Sequence, residues 1–123
     1  MSSIADYAEN KLLDTIRGIS FSVTSTWVKL HLADPGETGT GTAATETTRQ
    51  QVTWATASGG SMASSNSPSW TSYPTTETVS HISIWDTSVN GAGNCLWKGA
   101  LSASKSMQTG DTLTLTSLTL TLD

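Results

Sequence analysis

Polar and apolar positions alternate in two ways along this chain, and the change falls near residue 18. Before it, Ile4, Ala8, Leu12 and Ile16, flanked by Tyr7 and Leu13, recur at helical spacing. The spacing predicts one helix over residues 3–17. Ser3 stands at the capping position with Asp6 three residues on, and Gly18 supplies a stop. A helix this short is marginal alone in water, so its apolar stripe needs a surface, either its own sheet or a neighbouring subunit.

After Gly18 the period drops to two. Phe21 and Val23 alternate with serines. In 27–34, Val28, Leu30 and Leu32 fall on one side and Trp27, Lys29 and His31 on the other. In 79–86, Ile82 and Ile84 oppose His81, Ser83 and Trp85. Val52 with Trp54, residues 95–101 and residues 113–122 complete the predicted strands. Large side chains on both sides of several strands predict a sheet covered on both faces. The last segment is out of phase with itself: Leu113 and Leu115 are odd, whereas Leu118, Leu120 and Leu122 are even. One register cannot bury both sets, so a bulge or bend is expected near Ser117.

The connections are rich in glycine and serine. Asp34-Pro35-Gly36 and Asn90-Gly91 are turn signals, and residues 36–48 read as a long flexible loop. Residues 58–76 read as a Ser-, Pro- and Thr-rich stretch in which Trp70 and Tyr73 stand apart. The expected architecture is mainly β. It is a single domain over 1–123, with an N-terminal helix (1–18) and a β-sandwich of jelly-roll or immunoglobulin-like kind (19–123).

Composition narrows the function. Only 13% of the 123 residues are charged, about half the usual share, and hydroxyl side chains take their place. Such a surface suits a protein that packs against copies or partners. A net charge of −4 with six scattered basic residues excludes a nucleic-acid or anionic-membrane surface. The single cysteine, Cys95, forms no internal disulfide. Asp6 and Glu9 sit where a signal peptide would be apolar, and no run approaches the ~20 apolar residues of a membrane span. Folding in a cytoplasm is expected.

Candidate chemistry is sparse. Serine is too abundant for a Ser-His-Asp coincidence to mean much, and residues 59–63 miss the second glycine of a nucleophile elbow. His31 and His81 have no ligand-spaced companions, so no metal or cofactor is expected. Glu77 and Asp86 are the acids to name for sugar hydrolysis, and nothing in their setting favours it. Trp70 and Tyr73 are the candidates for stacking on a sugar or contacting a subunit. Tyr7, Leu12, Leu13 and Ile16 are the candidates for an assembly contact.

Several segments in order resemble a family of small tailed-bacteriophage virion proteins, described as tail-fibre-like or structural. They are Asp6-Tyr7-Ala8-Glu9-Asn10-Lys11-Leu12-Leu13-Asp14, Val28-Lys29-Leu30-His31-Leu32-Ala33-Asp34-Pro35-Gly36, and Arg49-Gln50-Gln51-Val52-Thr53-Trp54. Val79-Ser80-His81-Ile82-Ser83-Ile84-Trp85-Asp86, Asn94-Cys95-Leu96-Trp97-Lys98-Gly99-Ala100-Leu101 and Gly110-Asp111-Thr112-Leu113 follow. The serine-rich middle, 58–76, departs from the pattern. The resemblance implies a non-enzymatic virion component, assembled in the host bacterial cytoplasm, with no catalytic residues to carry over. Its expected partners are other virion proteins, either the major capsid protein or tail proteins, and copies of itself, as a trimer. Capsid decoration or cement is the leading expectation. A tail fibre, tail-tip or adaptor role, with carbohydrate-binding host recognition, is the alternative.

Overall fold

The computed structural model describes residues 4–122. It contains helix α1 (Asp6–Ile16) and eight strands: β1 (Thr26–His31), β2 (Gln50–Val52), β3 (Ser61–Ala63), β4 (Ser69–Trp70), β5 (Glu77–Trp85), β6 (Cys95–Met107), β7 (Leu113–Thr114) and β8 (Thr119–Thr121). A four-stranded sheet runs β2-β1-β5-β6, and two ribbons, β3-β8 and β4-β7, stand beside it. Every pairing is antiparallel. Among the described residues the chain is thus mainly β, with one helix and no closed barrel.

The register explains the two-sided pattern. Val28 pairs with Ile84 and Leu30 with Ile82, so these four share one face. Trp27, Lys29 and His31 pair with Trp85, Ser83 and His81 on the other. Val28 through His31 and Ile82 through Trp85 are all buried, so both faces are covered. Against the apolar face pack Trp70 of β4, Leu113 of β7, Tyr73, Met107, Leu115 and Leu118. Each large side chain buried there contributes about 1.5–3 kcal/mol. The polar face lies under the connection 33–49. That connection is not the loose loop its composition implies: Leu32 N–H donates to Thr42 O, and Ala44 N–H to Leu30 O. It therefore covers the part of β1 that β2 is too short to pair. Gly39 makes the closure possible, because its φ is +74° and a Cβ there would lie 2.5 Å from Cys95 Sγ.

The out-of-phase leucines are resolved as the pattern requires. β7 ends at Thr114 and β8 begins at Thr119, each in a different ribbon. Across the break, Leu115 N–H donates to Pro68 O and Leu118 N–H to Ser64 Oγ. Leu113, Leu115 and Leu118 are all buried as a result, while Leu122 stays exposed.

Three further expectations need correction. Residues 19–25 form no strand, because no neighbour offers Phe21 and Val23 a backbone partner. The serine-rich stretch holds β3 and β4, two short strands with no apolar alternation to announce them. Asn90-Gly91 does form the expected turn, with Ala92 N–H donating to Val89 O, inside the longer connection 86–94. Strand β6 continues past Leu101 to Met107, whose side chain returns to the core. On β5 the partner shifts from Lys105 opposite Val79 to Ala100 opposite His81, so residues 101–104 bulge outward from an edge strand. Such bulges keep an edge from pairing with other chains.

Candidate assembly face and polar cavity

Helix α1 is held mainly at its start. Ala5, not a capping side chain, precedes it, and Ala5 N–H donates to Leu96 O at 3.0 Å. The expected Ser3 cap lies outside the described residues. Asp6 and Glu9 in the first turn complement the helix dipole. Ala8 is the one buried helical residue. Beyond it the apolar stripe loses its own-chain partner. Tyr7 packs edge-on against Phe21, with ring centroids 6.3 Å apart, and Lys11 Nζ lies 5.6 Å from the Tyr7 ring centre. Leu12, Phe21, Val23 and Leu122 line an apolar cavity of about 580 Å³, floored by Trp54 and Trp97. Leu13 is 63% exposed, Ile16 84% and Ile19 46%. Of the four residues expected at an assembly contact, two rim this groove or its Phe21 wall, and two stand free in solvent.

The two rings singled out in the serine-rich stretch are placed quite differently. Trp70 is 1% exposed and Tyr73 0%, both within the core. Ser72, between them, adopts φ +53°, a turn that sends both rings inward. The Trp70 indole N–H donates to Thr48 O at 2.7 Å. Tyr73 O–H donates to Glu77 Oε1 at 2.6 Å, and the Thr45 backbone N–H and hydroxyl donate to the two Glu77 oxygens. Burial and the adjacent carboxylate push the Tyr73 hydroxyl well above its ordinary range. Burial would raise Glu77 too, but the three hydrogen bonds outweigh it and hold the carboxyl below its usual range. Neither ring is open to a sugar face. Glu77 and Asp86 lie at opposite ends of β5, and Asp86 is committed to the Asn94 backbone and side-chain N–H groups.

The polar face carries a Ser-His pair the spacing did not reveal. His31 and Ser83 meet across β1 and β5, with Nε2 2.6 Å from Ser83 Oγ. The Trp85 indole N–H donates to the same oxygen at 2.7 Å. Ser83 must then give its one hydrogen to His31 Nε2, and His31 Nδ1–H donates to Gly41 O at 2.8 Å. This neutral chain satisfies every member. Burial, opposed in part by the Gly41 bond, lowers the His31 pKa. Ser83 is fully buried, so no substrate carbonyl reaches its oxygen. The pair ties the 33–49 connection to the sheet. Among the described residues no three His, Cys, Asp or Glu side chains converge as a metal site would need. Burial also pushes the Cys95 thiol up to about 11, which leaves it protonated and unreactive.

Beside this network, loops 37–40 and 90–94 and the start of α1 enclose a polar cavity of about 520 Å³. Lys29, Arg49, Trp85 and Cys95 contribute to its lining. The Arg49 guanidinium lies 4.2 Å from the Trp85 ring centre, and Lys29 Nζ donates to Asn90 Oδ1 at 2.9 Å.

The described residues thus form a mainly β module with an outlying helix, its polar side chains largely committed to one another and an apolar face left open. The particular family follows from comparison with known proteins. A family model described as Podophage GP4 fiber I protein gp80 matches residues 3–123, and the chain belongs to that family. It is a phage virion protein of the tail-fibre-like kind, assembled in the host cell. No curated protein matches it.

Proposed function

We propose that this chain is a non-enzymatic fibre subunit that assembles with copies of itself through the α1 face. The observation that carries the reading is the exposed ridge of Leu13 and Ile16 beside the open apolar groove walled by Leu12 and Phe21. Ridge and groove belong to one chain, so the ridge of one copy fits the groove of the next. Such a head-to-tail contact builds a ring when its rotation closes and a filament when it does not, and a trimeric ring is the assembly we favour. Tyr7, on the Phe21 wall, lines the same contact. The family description, which names a fibre, supports a fibre position over the capsid-decoration role. The two ribbons packed on one face of the sheet support reading the body as a single-domain sandwich.

The test is the mass of the purified chain in solution. The natural sequence is expected to be trimeric. The paired variant Leu13→Ser, Ile16→Ser is expected to be monomeric, with circular dichroism unchanged. A natural chain that stays monomeric at high concentration, or a variant that still associates, would overturn the proposal. Immunogold labelling of virions then separates the two positions: gold on fibres supports this reading, and gold spread over the head replaces it with capsid decoration.

A further inference from the structure

The Asn90-Gly91 turn lies outside the apolar groove and carries chemistry of its own. Of the four asparagines, Asn10, Asn66 and Asn94 precede Lys11, Ser67 and Cys95, and Asn90 alone precedes a glycine. The others are also held. Asn10 lies within α1, Asn66 Nδ2 donates to Gln51 O, and Asn94 Nδ2 donates to Asp86 Oδ2. Asn90 is held at one atom: Lys29 Nζ donates to its Oδ1 at 2.9 Å. Lysine has no acceptor, so it is the amide oxygen that faces the ammonium. Asn90 Nδ2 and the Gly91 N–H have no hydrogen-bond partner among the described residues. Residues 88–93 are all exposed, and Gly91 has φ +84° with open space where a Cβ would stand. Lys29 is itself only 8% exposed and makes no ion pair among the described residues; the pairs present are Arg17–Asp14 and Lys98 with Asp34 and Glu37. Burial, then the charge of Arg49, lowers the Lys29 pKa, the mark of an ammonium without a counter-charge.

We propose that Asn90 is a self-modification site, converted within the folded chain to a carboxylate with Lys29 as its activator and then its ion-pair partner. The Gly91 backbone nitrogen loses its proton to solvent and attacks Asn90 Cγ. The new C–N bond closes a five-membered succinimide, the Cγ–Nδ2 bond breaks, and Nδ2 takes up a proton and leaves as ammonia. Water then opens the ring. Opening at Cγ restores the original main chain and leaves an aspartate carboxylate where the amide stood; opening at the other carbonyl gives isoaspartate. Nothing is oxidised or reduced. Negative charge develops on Oδ1 during the attack, where the Lys29 ammonium already donates, and that step is stabilised. In the aspartate product a charged acceptor replaces a neutral one opposite Lys29, which strengthens the bond. Conversion thus adds one negative charge to a chain whose net charge is −4, and ties the 86–94 connection more firmly to β1. The inference rests on this loop alone and holds whichever face the protein assembles through.

The experiment is peptide mapping by mass spectrometry of the folded full chain, incubated at mildly alkaline pH and sampled over time. The expected result is a gain of one mass unit in the peptide holding residue 90, with none at Asn10, Asn66 or Asn94. Lys29→Met, its fold checked by circular dichroism, removes the ammonium and is expected to slow conversion at least about tenfold. Asn90→Asp supplies the product directly. It should raise the urea midpoint above that of the natural chain at low salt, and the gain should vanish in the Lys29→Met background. If the Lys29 variant fails to fold, the gain from Asn90→Asp and its decline as salt rises carry the test. An Asn90 that stays unchanged, a folded Lys29 variant that converts at the natural rate, or an Asn90→Asp chain no more stable than the natural one would overturn the proposal.

Discussion

Trp70→Ala tests whether this ring is a core anchor or a surface ligand, the question on which sequence and structure diverge most. The side chain is 1% exposed and packs with Tyr73, Leu113 and the β1–β5 face. Truncating a buried tryptophan to alanine costs about 3–5 kcal/mol through lost burial and the cavity left behind. It also strips the Thr48 carbonyl of its donor. Against a typical total of about 5–15 kcal/mol, the variant should be close to unfolding at physiological temperature. Trp70→Phe separates the two contributions. It keeps most of the ring but leaves Thr48 O unsatisfied, for an expected loss of about 1–3 kcal/mol. Urea unfolding followed by circular dichroism orders the three proteins, at one protein concentration because association would add to apparent stability. An alanine variant within about 1 kcal/mol of the natural chain would refute the reasoning, since an exposed ring would behave that way.

Acid should destabilise the protein in two stages. The His31 pKa is lowered in the fold, so below its ordinary value of about 6.5 the unfolded chain takes up a proton that the folded chain resists. Stability is therefore fully present above that pH and falls as pH drops toward the lowered value. Glu77, also lowered, adds a second loss as pH falls below about 4.3. Urea midpoints for His31→Asn should lack the first stage and keep the second, and an unchanged profile would contradict the assignment. Gly91→Ala and Gly93→Ala should differ although both glycines have positive φ. Open space surrounds Gly91, so its variant should lose only about 1 kcal/mol. At Gly93 the new methyl would collide with Thr87 Cγ2 and lie 2.5 Å from Asp86 Oδ1, and the loss should reach about 2 kcal/mol or more. Equal losses in chemical denaturation would count against the described path of 86–94.

Much of this protein is written in its local pattern. Alternation at 27–34 and 79–86 carries β1, β5 and their two covered faces, because side chains on a strand cannot choose their side. The parity break between Leu115 and Leu118 likewise forces the chain to bend. Helical spacing in 4–16 marks both α1 and the apolar residues that end up uncovered. What local pattern could not carry was decided by contacts between distant segments. Strands β3 and β4 exist only because β8 and β7 lie beside them. Trp70 and Tyr73 are core residues because the turn at Ser72 and the donors around Thr48 and Glu77 draw them inward, whatever the polarity of their sequence neighbours. Arg49 reads in sequence as one of six scattered basic residues. Only the fold brings it over Trp85, where it is buried with Nη1 bonded to the Thr87 and Ala92 carbonyls. Alternation is a property of neighbours, whereas burial depends on what the rest of the chain brings to the same place.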